Sequence, residues 1–272
     1  MLERTAPLTP ELGRRFERPS ALVQVLVGLF VLFFLWSLSS AGLSLSDLLR
    51  GLPNMATIGG EMLPPATDRA WPMAKAILVT FQMALVGTVI GILLSVPLAL
   101  LAARNTSPHA GVLHATRALI SFFRTVPDLA WALFFVASVG LGTFAGTLTI
   151  IIDTIGFCAR FFAEALEEVD PGPSEALASI GASPADRIAV ALLPGAMPSL
   201  INTGLFSLEK AVRSSVVLGL VGAGGIGAEL AVSMEMFRYD QAATIVLMIF
   251  VLVYAVEQCS SRLRQRLMRQ GI

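Results

Sequence analysis

Long apolar runs separated by short polar stretches dominate the chain. Mostly apolar segments recur at roughly 21–43, 74–103, 113–141, 144–163, 196–222 and 242–260. A helix rises 1.5 Å per residue, so about 20 such residues cross a bilayer, and the pattern predicts six membrane helices. Gly and Pro within 196–222 predict a span that is bent or broken. Between the first two runs, Pro53, Gly59, Gly60, Pro64 and Pro65 predict turns over 44–72 rather than a long helix.

One polar segment has a pattern of its own. In 174–194 (SEALASIGASPADRIAVALLP), Leu177, Ile180, Pro184 and Ile188 recur at three- and four-residue steps, giving a helical segment one apolar face. Gly181 suits the left-handed conformation that ends a helix. Ser183 is placed to cap the next helix, with Pro184 at its first position and Asp186 returning the capping interaction. Pro194 and Pro198 are expected to interrupt the helix beyond it. The prediction is a short helix, a sharp turn and a second helix returning to the membrane, which together form a compact knob.

Composition makes lipid the solvent. Of 272 residues, 55% are hydrophobic and 14% charged, with a mean hydropathy of +0.77, whereas soluble domains carry roughly 25% charged residues. Lys+Arg and Asp+Glu balance at 19 each, which gives no reason to expect a nucleic-acid partner. The distribution of basic residues orients the helices. With the N-terminus inside, Arg104, Arg117, Arg160, Arg187 and both terminal segments put twelve of the 19 basic residues in the cytoplasm. Arg50, Arg69, Lys75 and Arg238 fall outside, and three lie within spans. Both termini are therefore expected in the cytoplasm. The polar lead before residue 21 is long and mixed in charge, unlike a cleaved signal peptide, so the first helix is expected to be retained.

The expected organisation is a cytoplasmic segment over 1–20, then the first membrane helix and an external loop over 21–72. A core membrane domain comes next over 73–260, with a cytoplasmic loop at 164–195, and then a basic cytoplasmic tail over 261–272.

Ionisable groups in a membrane are costly and usually face a bundle interior or a water-filled path. Here they are Arg124, Asp128, Asp153, Glu209, Lys210 and Arg213. Arg124 with Asp128, and Glu209 with Arg213, have the i, i+4 spacing of pairs on one helix face. Two readings stand: structural ion pairs, or a cationic element along the path of an anion. In the second, Arg124 and Arg213 lead, Ser214 and Ser215 supply hydroxyls, and Asp128 and Glu209 temper the charge.

Other chemistry is thin. Gly222, Gly224, Gly225 and Gly227 fit G-x-G-x-x-G, but between membrane spans they suit tight helix contact or a hinging gate better than a dinucleotide. Gly87 and Gly91 form one G-x-x-x-G packing signal. Lys75 and Lys210 are the only lysines and neither follows a glycine, so there is no P-loop. Cys158 and Cys259 are isolated and read as free thiols, and His109 and His114 as loop or interfacial residues. No catalytic set and no metal set is legible.

The 174–194 stretch resembles the E-A-A-x-x-x-G-x9-I-x-L-P signature of ABC importer permease subunits. Glu175, Ala176, Gly181, Leu193 and Pro194 match, while Leu177 and Ala191 replace Ala and Ile. RTVPDLAWALFFV (124–136), EALEEVDPGPSEAL (164–177) and VRSSVVLGLVGAGGIG (212–227) resemble the phosphonate branch. The likeness runs from about 75 to 260; Cys158-Ala159-Arg160 departs from it, and the first 70 residues carry no motif.

The resemblance implies an all-α, type I importer permease-like membrane bundle that dimerises, most simply with itself, in a bacterial inner membrane. It implies that the loop is a coupling helix docking on two ATPase subunits, which bind ATP and Mg. This chain, by that likeness, holds no cofactor and is not itself an enzyme. An external binding protein would deliver a phosphonate. Phosphite, phosphate or an amino acid on the same plan is the near alternative. A stand-alone secondary transporter is the alternative of another class, and it leaves the 174–194 segment unexplained.

Overall fold

The computed structural model describes residues 20–42 and 44–269, with side chains as far as Arg266. The predicted N-terminal segment, apart from Ser20, and the last residues of the tail lie outside this range. Every regular element among the described residues is a helix. The chain divides into two units, residues 1–57 and 58–272.

The first unit holds α1 (Ala21–Ser40) and most of α2 (Leu45–Glu61). Helix α1 starts where the Ser20 hydroxyl accepts the Val23 N–H, and it is apolar on all sides with no buried residue, as suits a helix solvated by lipid. Helix α2 corrects the turns expected over 44–72. Ser44 caps it by accepting the Asp47 N–H at 3.1 Å, and Leu45, Leu48, Leu49, Leu52 and Met55 share one stripe. The cap and the amphipathic stripe outweigh Pro53, which removes only one backbone donor.

The second unit is built on α3 (Ala70–Ala102) and α6 (Thr143–Glu167), which lie against each other through small residues. Helix α3 keeps Gly87, Gly91, Ser95 and Ala99 buried. A Cβ on Gly87 would sit 2.7 Å from Ile150, and one on Gly91 2.5 Å from Thr154. The G-x-x-x-G signal is thus a real contact. Ser95 and Thr149 donate to carbonyls one turn back, at 2.7 and 3.0 Å, so they cross the interface already satisfied.

The span expected over 113–141 is broken. Helix α4 (Ala110–Thr125) and α5 (Asp128–Val139) meet at an angle of 87°. Pro127 disfavours helical backbone at Val126, whose ψ is 124°, and Pro127 itself is extended at ψ 145°.

After α6 come α7 (Pro171–Ser179), α8 (Pro184–Arg187), a π-helical turn (Ile188–Leu192) and α9 (Leu193–Leu218). The expectation that Pro194 and Pro198 interrupt this stretch is wrong: residues 184–218 run on as helix. The π turn is closed by the Leu193 N–H donating to the Ile188 carbonyl, and Pro194 falls in the first turn of α9. Pro198 deletes a single bond. The break comes instead at Gly219–Ala223 and Gly224–Gly225, where Gly222, Gly224 and Gly225 have φ of 96°, 78° and 71°.

Helices α10 (Ile226–Glu235) and α11 (Tyr239–Arg269) complete the unit. The segment before α3 is tied to α11: the Ala66 N–H donates to the Asp240 carbonyl and the Thr244 hydroxyl to the Ala66 carbonyl, at 3.2 and 2.6 Å. Among the described residues, five helical stretches are long and apolar enough to cross a membrane, and six spans result if α4 and α5 count as one.

Candidate functional site

Three regions hold the residues singled out by the sequence. The first is the α7–α8 knob, which forms as predicted. Asp170 caps α7 by accepting the Gly172 N–H at 3.0 Å. Gly181 takes a φ of 85°, and the Gly181 and Ala182 N–H groups donate to Ala178 and Leu177 carbonyls, each at 3.0 Å. A full capping box opens α8: Ser183 Oγ accepts the Asp186 N–H, and the Asp186 carboxylate accepts the Ser183 N–H, both at 3.2 Å. The caps of the knob are therefore all supplied from within it. Its tip is Ile180, 79% exposed, beside Gly181, while Glu175 and Ala176 are exposed along α7.

Leu193 and Pro194 lie behind the knob at the start of α9. Gly195 allows the chain after α6 to approach closely, because a Cβ there would sit 2.7 Å from Val169. A cleft of about 350 Å³ separates the knob from the bundle, with Asn105, Glu167, Glu175 and Arg187 on its walls.

A latch beneath this cleft was not legible in the sequence. Glu167 Oε1 accepts from the Arg117 guanidinium at 2.5 Å and from the Arg104 N–H at 2.7 Å. Arg117 Nε donates to the Ala102 carbonyl at 2.8 Å and Asn105 to the Leu166 carbonyl at 2.7 Å. These bonds join the ends of α3 and α6 to α4 across 50 residues or more for the long pairs, a separation at which no spacing rule operates.

The second region is the set of intramembrane charges, and here the expected pairs are replaced. Arg124 and Asp128 do not share a helix, because the break at Val126–Pro127 divides them. Asp128 accepts from the Ser214 hydroxyl at 3.3 Å. Arg124 has no carboxylate in ion-pair range among the described residues, and its guanidinium lies 6.0 Å from the Phe161 ring centre. Glu209 and Arg213 do share α9, yet the Glu209 carboxylate pairs with Arg264 of α11 at 2.7 Å. Arg213 donates to the Glu209 backbone carbonyl at 3.4 Å and is exposed.

Lys210 pairs with Asp153 of α6 at 2.6 Å and lies 5.4 Å above the Phe157 ring. Burial favours both cross-helix pairs, since a charge in a poorly solvated site needs its partner close. Ser215 is fully buried and donates to the Val212 carbonyl, which turns it away from Ser214 and Asp128.

The 222–227 glycines form a close backbone contact. A Cβ on Gly219 would meet Gly227 Cα at 2.7 Å, and one on Gly227 would meet the Val216 carbonyl. The turn is pinned to its surroundings: Gly142 N–H donates to the Gly222 carbonyl at 2.9 Å and Ile226 N–H to the Thr80 hydroxyl at 2.8 Å.

Known proteins resemble this chain in sequence and fold. The family described as "Binding-protein-dependent transport system inner membrane component" matches residues 95–269. The chain is 39% identical over 271 residues to the phosphate-import permease protein PhnE of Mycolicibacterium smegmatis, covering 97% of this chain and 48% of that relative. It thus spans about half of that protein's length. It is also 39% identical over 225 residues to the phosphite transport system permease protein PtxC of Stutzerimonas stutzeri, covering 82% and 81% of the two chains. Among solved structures, an inward-facing MetNI methionine ABC transporter superposes with a TM-score of 0.65 at 25% identity, covering 74% of this chain and 98% of that one.

Proposed function

The chain belongs to the family of binding-protein-dependent transport system inner membrane components, and from that premise we propose that it is the permease subunit of an ATP-driven importer of phosphonates. The observation that carries the coupling role is the knob. A self-capped helix pair with an exposed apolar tip at Ile180 and a positive-φ glycine beside it is built to enter a groove on a partner. Two ATPase subunits, binding ATP and Mg, would grip Glu175, Ala176 and Gly181, while Leu193 and Pro194 carry the thrust into α9. A second permease copy would complete the path, and an external binding protein would supply the solute.

The cationic groups support an oxyanion as cargo. Arg124 and Arg213 are not tied to carboxylate side chains among the described residues, and Ser214 with Asp128 borders the same stretch. Glu209 and Ser215 act from within the fold, the first by holding Arg264 and the second by capping its own helix turn. Gly222, Gly224 and Gly225 supply the hinge of a gate, and Gly227 the close helix contact beside it. The names of the relatives favour phosphite or phosphate as a second reading of the cargo, on the same permease plan. Titrating the partner binding protein with each solute separates these. We place the knob and both termini in the cytoplasm, because the basic residues concentrate on that side.

The test is ATPase activity of the chain in nanodiscs with its ATPase and binding protein, comparing wild type with Gly181→Asp. Nothing lies within 4 Å of a Cβ at Gly181, so the strain that a side chain meets at a φ of 85° falls on the docking tip rather than on the core. Loss of solute-stimulated hydrolysis is expected. Hydrolysis and transport both indifferent to this substitution would return the stand-alone secondary transporter to first place.

A further inference from the structure

A cavity of about 150 Å³ lies where α4, α6 and the end of α3 meet, and its polar wall is Arg117, Ser121, Arg124 and Arg160. We propose that it binds a tetrahedral phosphoryl or phosphonyl oxyanion, as the last station before the solute leaves the path. The transit role rests on the importer reading; the site itself rests on the geometry.

The backbone assembles the site. Arg117, Ser121 and Arg124 follow one another at i, i+4 and i+7, one face of α4 spanning about 10 Å of rise. Arg160 faces them from α6, which comes close because Gly156 has no side chain: a Cβ there would sit 3.1 Å from the Arg124 backbone nitrogen. Ala102, Ile120 and Ala163 complete the walls, and no carboxylate lines the cavity.

Two of the three guanidiniums are held from behind. Arg117 is fixed by Glu167 and by the Ala102 carbonyl, and Arg160 by Glu164 at 2.6 Å. Arg124 has no such partner among the described residues. The cavity therefore holds three cations against two carboxylates, both outside its walls, with donors in fixed positions and one charge uncompensated. Arg124 and Ser121 are exposed at the cavity mouth, so the unpaired guanidinium is open to an incoming anion, and its planar fork fits paired phosphoryl oxygens. The volume matches cavities of about 150 Å³ that hold a benzene-sized guest. The Arg117–Glu167 pair also links this cavity to the cleft under the knob, since Glu167 lines that cleft.

A phosphoryl group can come from dissolved solute or from a lipid headgroup, and the experiment distinguishes them. The full chain in phosphatidylcholine nanodiscs is titrated with inorganic phosphate at constant ionic strength, followed by 31P NMR. Wild type and Arg69→Gln, which alters an unrelated pair with Glu229, should bind alike. Arg124→Gln should weaken binding about tenfold, in line with loss of a charge-assisted bond. Glu164→Gln should tighten it about threefold by removing the negative charge that offsets Arg160. Tightening is an outcome that a misfolded variant does not produce. Phosphate binding that is absent, or indifferent to both substitutions, overturns the site.

Repeating the titration with phosphatidylglycerol in the disc should leave the Arg124-dependent binding in place. Its loss by competition assigns the cavity to headgroups and overturns the transit role. The importer reading fails separately: Arg124-dependent phosphate binding with ATPase and transport indifferent to Gly181→Asp sinks that reading and leaves the site standing.

Discussion

At the scale of single residues, two carboxylates set into the bundle are each matched by a cation from a different helix. Asp153 meets Lys210 at 2.6 Å and Glu209 meets Arg264 at 2.7 Å. Removing one member strands the other in a poorly solvated site, which costs more than losing a surface pair. Lys210→Met is therefore expected to destabilise the chain by roughly 1–3 kcal/mol, less than for a fully buried pair because Lys210 keeps some solvent contact. Adding Asp153→Asn should recover most of that loss. Thermal unfolding of the purified variants in detergent checks this, and an unrecovered double variant would show that the pair is not the cause.

At the scale of elements, close contact between helices rests on small residues. Gly91 on α3 faces Thr154 on α6 so closely that an added Cβ would sit 2.5 Å from the threonine Cβ. Gly91→Val is expected to cost roughly 1–3 kcal/mol by overpacking and to lower the melting temperature. Gly28→Ala on α1, where nothing lies within 4 Å, should be neutral or slightly stabilising. Similar melting of these two variants would remove the glycine contact from the account. The α7–α8 knob is held differently, since its caps are internal to the element.

At the scale of the whole molecule, membrane orientation decides what the knob can meet. With Cys259 replaced by serine, a cysteine at Ser179 should react with an impermeant maleimide only after the cells are opened, and one at Glu61 in intact cells. The reverse pattern would invert the topology. The sequence by itself determined the long apolar spans and the knob with its caps. Run length against bilayer thickness, and Gly181, Ser183, Pro184 and Asp186 against their own backbone, act over a few residues and need nothing else. Pro127 was legible as a bend, but not as a near right angle that separates Arg124 from Asp128. Pro53, Pro194 and Pro198 read as breaks, yet a cap with an amphipathic stripe, or a π turn, absorbed them. Which charges pair, and that three arginines share one cavity, only the tertiary structure decided. An i, i+4 rule finds neighbours on one helix, as it does for Arg160 and Glu164, whereas the Arg117–Glu167, Lys210–Asp153 and Arg264–Glu209 pairs span 50 residues or more and meet because glycines and alanines let particular helices touch.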